Sequence, residues 1–340
     1  MLKFDEKDFV AYMTYKGLAP QSIRHYKLNI RVVNNWFNGK EFSKELIEQF
    51  FLERINTGIK QNTLKGYVGA LRKLKEYLDD RGFDSKFLNY LPNYEKEKPQ
   101  IIIFTEEEIK AIIAAQLEYG IYRGKDCSFL DYRYSTLTMM LAYTGCRFGE
   151  ASKLKIQDVE IGDSNVGRLQ LIHTKNKDNR TLYIAEPLIS RLKNLIKDRG
   201  ADEYVFLNAA GSQVKAPDFS EDLKKRAIKA GVLKRTFPHN FRHSYITHML
   251  EAGTDALFLA KLTGHRDVQV IYDTYMHLAD KTLEKASMRN PLLRASVDPK
   301  YIVEQIKETI ENFHLEEDKE RFIYVIQDTD KGFSFSVEMK

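Results

Sequence analysis

The sequence predicts a mainly α-helical protein with a small β-sheet, arranged as two domains followed by a C-terminal helix–hairpin extension. Three observations predict it. Apolar residues recur at helical spacing over most of the 340 residues. One internal stretch, 166–184, alternates as strands do. A charged, proline-bracketed segment, PNYEKEKP at 92–99, breaks the periodicity where a linker between domains would lie. A chain of this length also exceeds one ordinary core.

The first domain is expected over 1–92. Ile23, Tyr26, Ile30, Val33 and Phe37 recur at steps of three and four, as one face of a helix requires. Leu64, Tyr67, Val68, Leu71, Leu74 and Leu78 repeat the pattern, with Asn62 read as the N-cap. Lys65, Arg72, Lys73 and Lys75 lie off that stripe, on a face that is simply solvated unless the rest of the chain calls for a polyanion. A linker is placed at 93–103 and the second domain at 104–293, opening with a capping-box pattern at Thr105-Glu-Glu-Glu. Helices are expected to about Ala151. A hairpin follows, with Leu169 and Leu171 in one strand, Thr181-Leu-Tyr-Ile in the other and Lys175-Asn-Lys-Asp-Asn between them. Helices then resume from about Glu186 to Leu293. The extension, 294–340, offers an amphipathic helix near Pro299–Leu315 and two strand-like runs, Arg321–Gln327 and Phe333–Glu338, around Asp328-Thr-Asp-Lys-Gly.

Composition narrows the function classes. The chain is 43% hydrophobic and 30% charged, as globular proteins are. It holds no apolar run of membrane-spanning length, and its first residues, MLKFDEKDF, carry no apolar signal segment. Cys127 and Cys146, the two cysteines, are too few for a disulfide framework or a four-cysteine zinc site. A cytoplasmic, soluble protein is expected. The net charge of +5 is uneven: residues 1–92 hold 16 Lys and Arg against 11 Asp and Glu, whereas the extension is acidic. A basic body favours a polyanionic partner through phosphate contacts and counterion release.

Four patterns in the second domain belong together: Thr144-Gly-Cys-Arg-Phe-Gly-Glu150, the hairpin with Lys175, Pro238-His-Asn-Phe-Arg-His243, and Thr263-Gly-His265 followed ten residues later by Tyr275. Together they hold what cutting a phosphodiester without metal requires. Guanidinium groups suit the phosphate oxygens, because they stay charged and present a flat, bidentate donor fork. A lysine can protonate the departing sugar oxygen, and a histidine can exchange a proton near neutral pH. A tyrosine can attack phosphorus and store the bond energy in a phosphotyrosine. No GxxxxGK[ST] loop is present, and no nucleotide cofactor is implied.

These patterns resemble the tyrosine recombinases, the family of phage integrases and Xer-type enzymes. YTGCRFGEASKLKIQDV (143–159) is similar to the family's first-arginine block, PHNFRHSYITHML (238–250) to its His-x-x-Arg block, and LTGHRDVQVIYDTYMHL (262–278) to its nucleophile segment. The resemblance covers about 104–292 closely and 1–92 more loosely. It implies a two-domain DNA clamp, in which a helical core-binding domain faces a mixed α/β catalytic domain. It also implies the roles. Tyr275 attacks the scissile phosphate, leaving a 3′-phosphotyrosyl link. Arg147 and Arg242 hold the phosphate oxygens, with His265 as a third donor. Lys175 protonates the 5′-oxygen, favoured over Lys177 by its match to the family position. His239 accepts or shuttles the tyrosyl proton, and Glu150 orients its neighbours. Met-His after Tyr275 fits the family's tyrosine segment, and Tyr272 lacks that context. No cofactor or metal is implied. The partner is double-stranded DNA carrying two recombination sites, bound by a homo-tetramer, with Lys65, Arg72, Lys73 and Lys75 as DNA contacts. The alternatives are a topoisomerase IB-like enzyme sharing this chemistry, and a non-catalytic DNA-binding derivative. The extension has no counterpart in the family and is expected to assist oligomerisation or to compete with DNA.

Overall fold

A computed structural model describes residues 5–95, 101–162, 165–172, 179–275, 322–329 and 332–339. The chain folds as two compact units, Met1–Gln100 and Ile101–Lys340.

Among the described residues, the first unit contains four helices, α1 (Glu6–Tyr15), α2 (Pro20–Phe37), α3 (Lys44–Asn56) and α4 (Gln61–Asp80), then a short 3-10 turn at Lys86–Tyr90. Each start has a local cause. The Asp5 carboxylate accepts from Lys7 N at 2.8 Å, Pro20 brings its fixed φ to the first turn of α2, and Ser43 Oγ accepts from Leu46 N. Both apolar stripes face inward. Ile30, Val33 and Phe37 of α2 and all six named residues of α4 are buried, and Ile23 and Tyr26 pack at the edge of that core. Hydroxyls of Tyr12 and Tyr77 donate to Asp80 and Asp8, each at 2.8 Å, fastening α1 to α4. The expected cap of α4 is corrected. The helix begins at Gln61 with extended Lys60 at the cap position, so Asn62 lies inside it.

The second unit opens with α5 (Glu106–Ala114), and the capping box is formed: Glu108 N donates to Thr105 Oγ1 at 3.2 Å and Thr105 N to the Glu108 carboxylate at 2.8 Å. A two-residue hairpin, β1 (Ile121–Tyr122) with β2 (Lys125–Asp126), leads into α6 (Phe129–Thr144). Leu137, Met140 and Leu141 put α6 at the centre of the core. After α7 (Phe148–Ala151), the strands β3 (Val159–Glu160), β4 (Gly167–Leu171) and β5 (Arg180–Ile184) form an antiparallel three-stranded sheet. The β4–β5 register sets Leu169 opposite Leu182, and both are buried against the helices. The expected pair is thus present, with β3 added at its edge.

Five helices follow: α8 (Leu188–Ile196), α9 (Ala216–Lys229), α10 (Pro238–Glu251), α11 (Ala256–Thr263) and α12 (Gln269–Tyr275). The expectation of helix throughout 186–275 fails between α8 and α9. There the chain runs as turns tied by bridges Lys155↔Tyr204 and Leu207↔Gln213. Arg226 of α9, fully buried, donates to Asp222 and Asp131, each at 2.8 Å, and to Ala115 O at 2.6 Å, locking α9 to α6 and the end of α5. Buried polar groups need such partners.

In the extension, β6 (Phe322–Thr329) pairs with β7 (Gly332–Met339) in register Phe322↔Met339 to Thr329↔Gly332, matching the two strand-like runs. The expected helices at Leu278–Leu293 and Pro299–Leu315 lie outside the described residues. No described helix is long and apolar enough to cross a membrane.

Candidate active site

Two glycines aim the arginines. Gly145 ends α6 in the left-handed conformation (φ +60), turning the chain so that Arg147, extended, precedes α7. Gly264 ends α11 likewise (φ +70) and presents its carbonyl to Arg147 Nη2 at 2.9 Å. α10 starts at Pro238, and its second turn carries Arg242 and His243 into the same space.

Glu150 organises this region. The residue is 5% exposed, and its carboxylate accepts from Arg147 N at 2.9 Å, from Arg147 Nη1 at 3.1 Å, and from Arg180 Nη1 and Nη2 at 3.0 and 2.6 Å. Burial alone would raise its pKa. The hydrogen bonds and charge of Arg180, with those of Arg147, outweigh it and hold the carboxyl below its usual value. Arg180 Nε also donates to Leu262 O at 3.0 Å, joining the start of β5 to α11.

Arg242 is almost wholly buried and donates through Nη1 to Gly145 O at 2.9 Å and Thr263 O at 2.7 Å. Burial, helped by the Arg147 charge, lowers its pKa to about 10, so it stays charged at neutral pH. Its Nη2 lies 2.9 Å from His265 Nε2. The neighbouring bonds set the tautomer. Thr263 Oγ1 donates to Leu259 O at 2.6 Å, so it accepts from His265 Nδ1 at 2.8 Å, and Nε2 is the acceptor for Arg242. Burial, then the Arg242 and Arg147 charges, hold His265 at a pKa of about 3, consistent with a neutral ring. In this geometry His265 Nε2 accepts from the Arg242 guanidinium.

Tyr275, the last residue of α12, is 3% exposed. Ile271, one turn earlier on the same face, packs with it against Leu259, Ala260 and Ile246. Burial raises the phenol's pKa, with the Arg242 charge pulling the other way. Its hydroxyl hydrogen-bonds His243 Nδ1. His243, lowered to about 4 by burial and by His239 and Arg242, is uncharged at neutral pH. His239 meets His243 edge-to-face, ring centroids 4.7 Å apart. Desolvation and the charges of Arg242 and Arg147 lower its pKa, although its surface is open to solvent. Tyr272 stands exposed on the same helix.

Six of the seven expected catalytic residues therefore gather in one region: Arg147, Glu150, His239, Arg242, His265 and Tyr275. Lys175, like Lys177, lies outside the described residues. Two participants receive no role from the sequence patterns. Arg180 is visible there only as a cation closing the hairpin. His243 stands beside Arg242 at an i+4 step from His239, a spacing that puts both rings on one helix face. Cys146, 1% exposed, has its thiol pushed up to about 11 by burial, as a small core residue would. In the first unit, Lys65 and Arg72 are exposed, whereas Lys73 pairs with Glu76, and Lys75 with Asp79 at 2.6 Å.

The model of the phage integrase family matches residues 103–282. The tyrosine recombinase XerD of Staphylococcus epidermidis is 23% identical over 286 residues, covering 79% of this chain and 92% of that protein. Among solved structures, the XerH site-specific recombinase bound to palindromic difH substrate, a post-cleavage complex, shares the fold with a TM-score of 0.61 at 20% identity. It covers 79% of this chain and 80% of that one. A lambda integrase dimer bound to a COC′ core site gives a TM-score of 0.61 at 14% identity, covering 78% of this chain and 95% of that one.

Proposed function

Because the chain belongs to the phage integrase family, we propose that it is a site-specific DNA recombinase that cuts and rejoins strands through a 3′-phosphotyrosyl link at Tyr275, without metal or nucleotide cofactor. The observation that carries this reading is the meeting of Tyr275, through His243, with a helix turn whose Arg242 charge is felt at the phenol. The Arg147 charge acts on Arg242, and Arg147 is held in place by Glu150. Two fixed guanidinium groups suit the charge that grows on non-bridging oxygens as a tyrosine attacks phosphorus. Lys175 supplies the proton for the departing 5′-oxygen in this scheme. Residues 1–92 act as the DNA-gripping domain and 104–293 as the catalytic domain. The partner is double-stranded DNA, two sites held by a homo-tetramer, each active subunit cutting one strand.

The test uses a nicked suicide substrate and denaturing gels. Wild-type protein and Tyr272→Phe form a covalent protein–DNA adduct, and Tyr275→Phe forms none. An adduct that survives in Tyr275→Phe and vanishes in Tyr272→Phe moves the nucleophile to Tyr272. A two-site recombination assay beside plasmid relaxation separates strand exchange from simple swivelling.

A further inference from the structure

The geometry points to His243 as the group that takes the Tyr275 proton during strand cleavage, a role that the four sequence patterns, although they include the residue, do not give it. The inference rests on Tyr275 being the nucleophile. A general base must lie within hydrogen-bond reach of the proton it removes. His243 Nδ1 is bonded directly to the Tyr275 hydroxyl, and among the described residues no such bond joins His239 to it.

The charge states fit the direction of transfer. Around His243 stand His239 and Arg242 on its own helix and Tyr275 on α12. Burial, His239 and Arg242 disfavour the imidazolium, so the ring is neutral with a lone pair to offer, while burial keeps the phenol protonated. The resting pair is therefore phenol O–H donating to Nδ1. A weak base suffices because the transfer is coupled to bond formation. As the phenolic oxygen bonds to phosphorus, its proton becomes far more acidic than in the free phenol, whose pKa is ~10. In the step, the O–P bond forms and the phenolic proton passes to Nδ1. The bond from phosphorus to the 5′-oxygen breaks, and that oxygen leaves with a proton from a separate acid. Religation runs the reverse path, with the His243 imidazolium returning the proton to the tyrosyl oxygen. His239, packed edge-on against His243, is left to face the phosphate with the arginines.

Single-turnover cleavage of a suicide substrate, with DNA affinity measured in parallel, tests this. His243→Ala is expected to cleave at least about 100-fold more slowly, the usual worth of a positioned base, with DNA affinity within about twofold of wild type. Added imidazole should restore about tenfold or more, with substituted imidazoles of higher pKa rescuing better. The same additions should leave His239→Ala unchanged. His243→Asn keeps a hydrogen-bond acceptor near the Nδ1 position yet takes no proton, and is expected to be as slow as His243→Ala even if the alanine variant folds poorly. Wild-type rates in His243→Asn, or imidazole rescue confined to His239→Ala, would overturn the inference. Should Tyr275→Phe still trap DNA covalently, the nucleophile assignment fails instead, and the two failures remain distinct.

Discussion

Arg180 grips the Glu150 carboxylate with both terminal nitrogens, at 3.0 and 2.6 Å, while Arg147 reaches one oxygen of the same carboxylate at 3.1 Å. One buried anion thus spaces two guanidinium groups and ties the sheet to the turn after α6. Removing a partner from a buried pair leaves an uncompensated charge, which costs about 3–5 kcal/mol. Arg180→Ala is therefore expected to lose about 3 kcal/mol of stability in urea unfolding and to cut covalent adduct formation by at least tenfold, as Arg147 swings onto the vacated carboxylate. Arg180→Lys keeps the charge without the planar fork and should recover less than half of either loss. An Arg180→Ala protein as stable as wild type would show that the pair is solvated in solution.

The histidines make stability depend on pH. His265 and His243 have pKa values held at about 3 and about 4, principally by burial, below the ~6.5 of an unfolded histidine. Below pH ~6.5 the unfolded chain binds protons that the folded chain refuses. Folded stability is therefore full above that pH and declines as pH falls toward 4 and 3. Glu150, lowered by its arginine partners, adds a further loss only at pH below the ordinary carboxylate range. Between pH 7 and pH 5 the urea midpoint should fall, each histidine contributing ~1 kcal/mol after allowance for partial exposure. His265→Gln should remove its share of that slope. A midpoint constant over this interval would mean that both rings protonate freely in the fold.

The sequence exposed the chemistry more fully than its spatial order. Arg147, Arg242, His265 and Tyr275 were legible because their patterns are local, each set by a helix end, a helix face or a glycine turn. Arg180 was not, because its meaning lies in Glu150, thirty positions away, and only the fold joins β5 to α7. The role of His243 is not legible, because adjacency to Arg242 says nothing of direction. The choice between His239 and His243 depends on where α12 packs, and that is decided by Ile271 against α11. The helices of the first unit followed from periodicity. The turns at 197–215 did not, because one of their bridges, Lys155↔Tyr204, is a tertiary contact and the other, Leu207↔Gln213, closes a local loop.

Gly264 is a close-approach position. A Cβ there would stand 2.9 Å from Arg180 Cζ and 3.4 Å from Arg147 Nη1, and the backbone is left-handed at φ +70. Gly264→Ala would pay the left-handed penalty of about 1 kcal/mol and also shift the Arg180 guanidinium within its pair with Glu150. The expected phenotype is a folded protein, about 1–2 kcal/mol less stable, whose cleavage rate falls at least tenfold with little change in DNA affinity. Gly149, with nothing near its Cβ position, serves as the control, and Gly149→Ala should cleave normally.

The cations of α4 divide by their partners. Lys73 and Lys75 are engaged with Glu76 and Asp79 one turn on, while Lys65 and Arg72 stand exposed, with no ion pair to an acidic side chain among the described residues. Binding DNA through Lys73 or Lys75 would first require breaking a surface pair, worth up to ~1 kcal/mol. Lys65 and Arg72 carry no such penalty. If this face meets phosphate, Lys65→Ala and Arg72→Ala should each weaken binding several-fold and each reduce the slope of log affinity against log salt by about 0.9, the release of one counterion. Lys75→Ala should change that slope by less. Salt titration of binding by fluorescence anisotropy reads all three, and equal slopes in every variant would place the DNA contacts of this unit on another face.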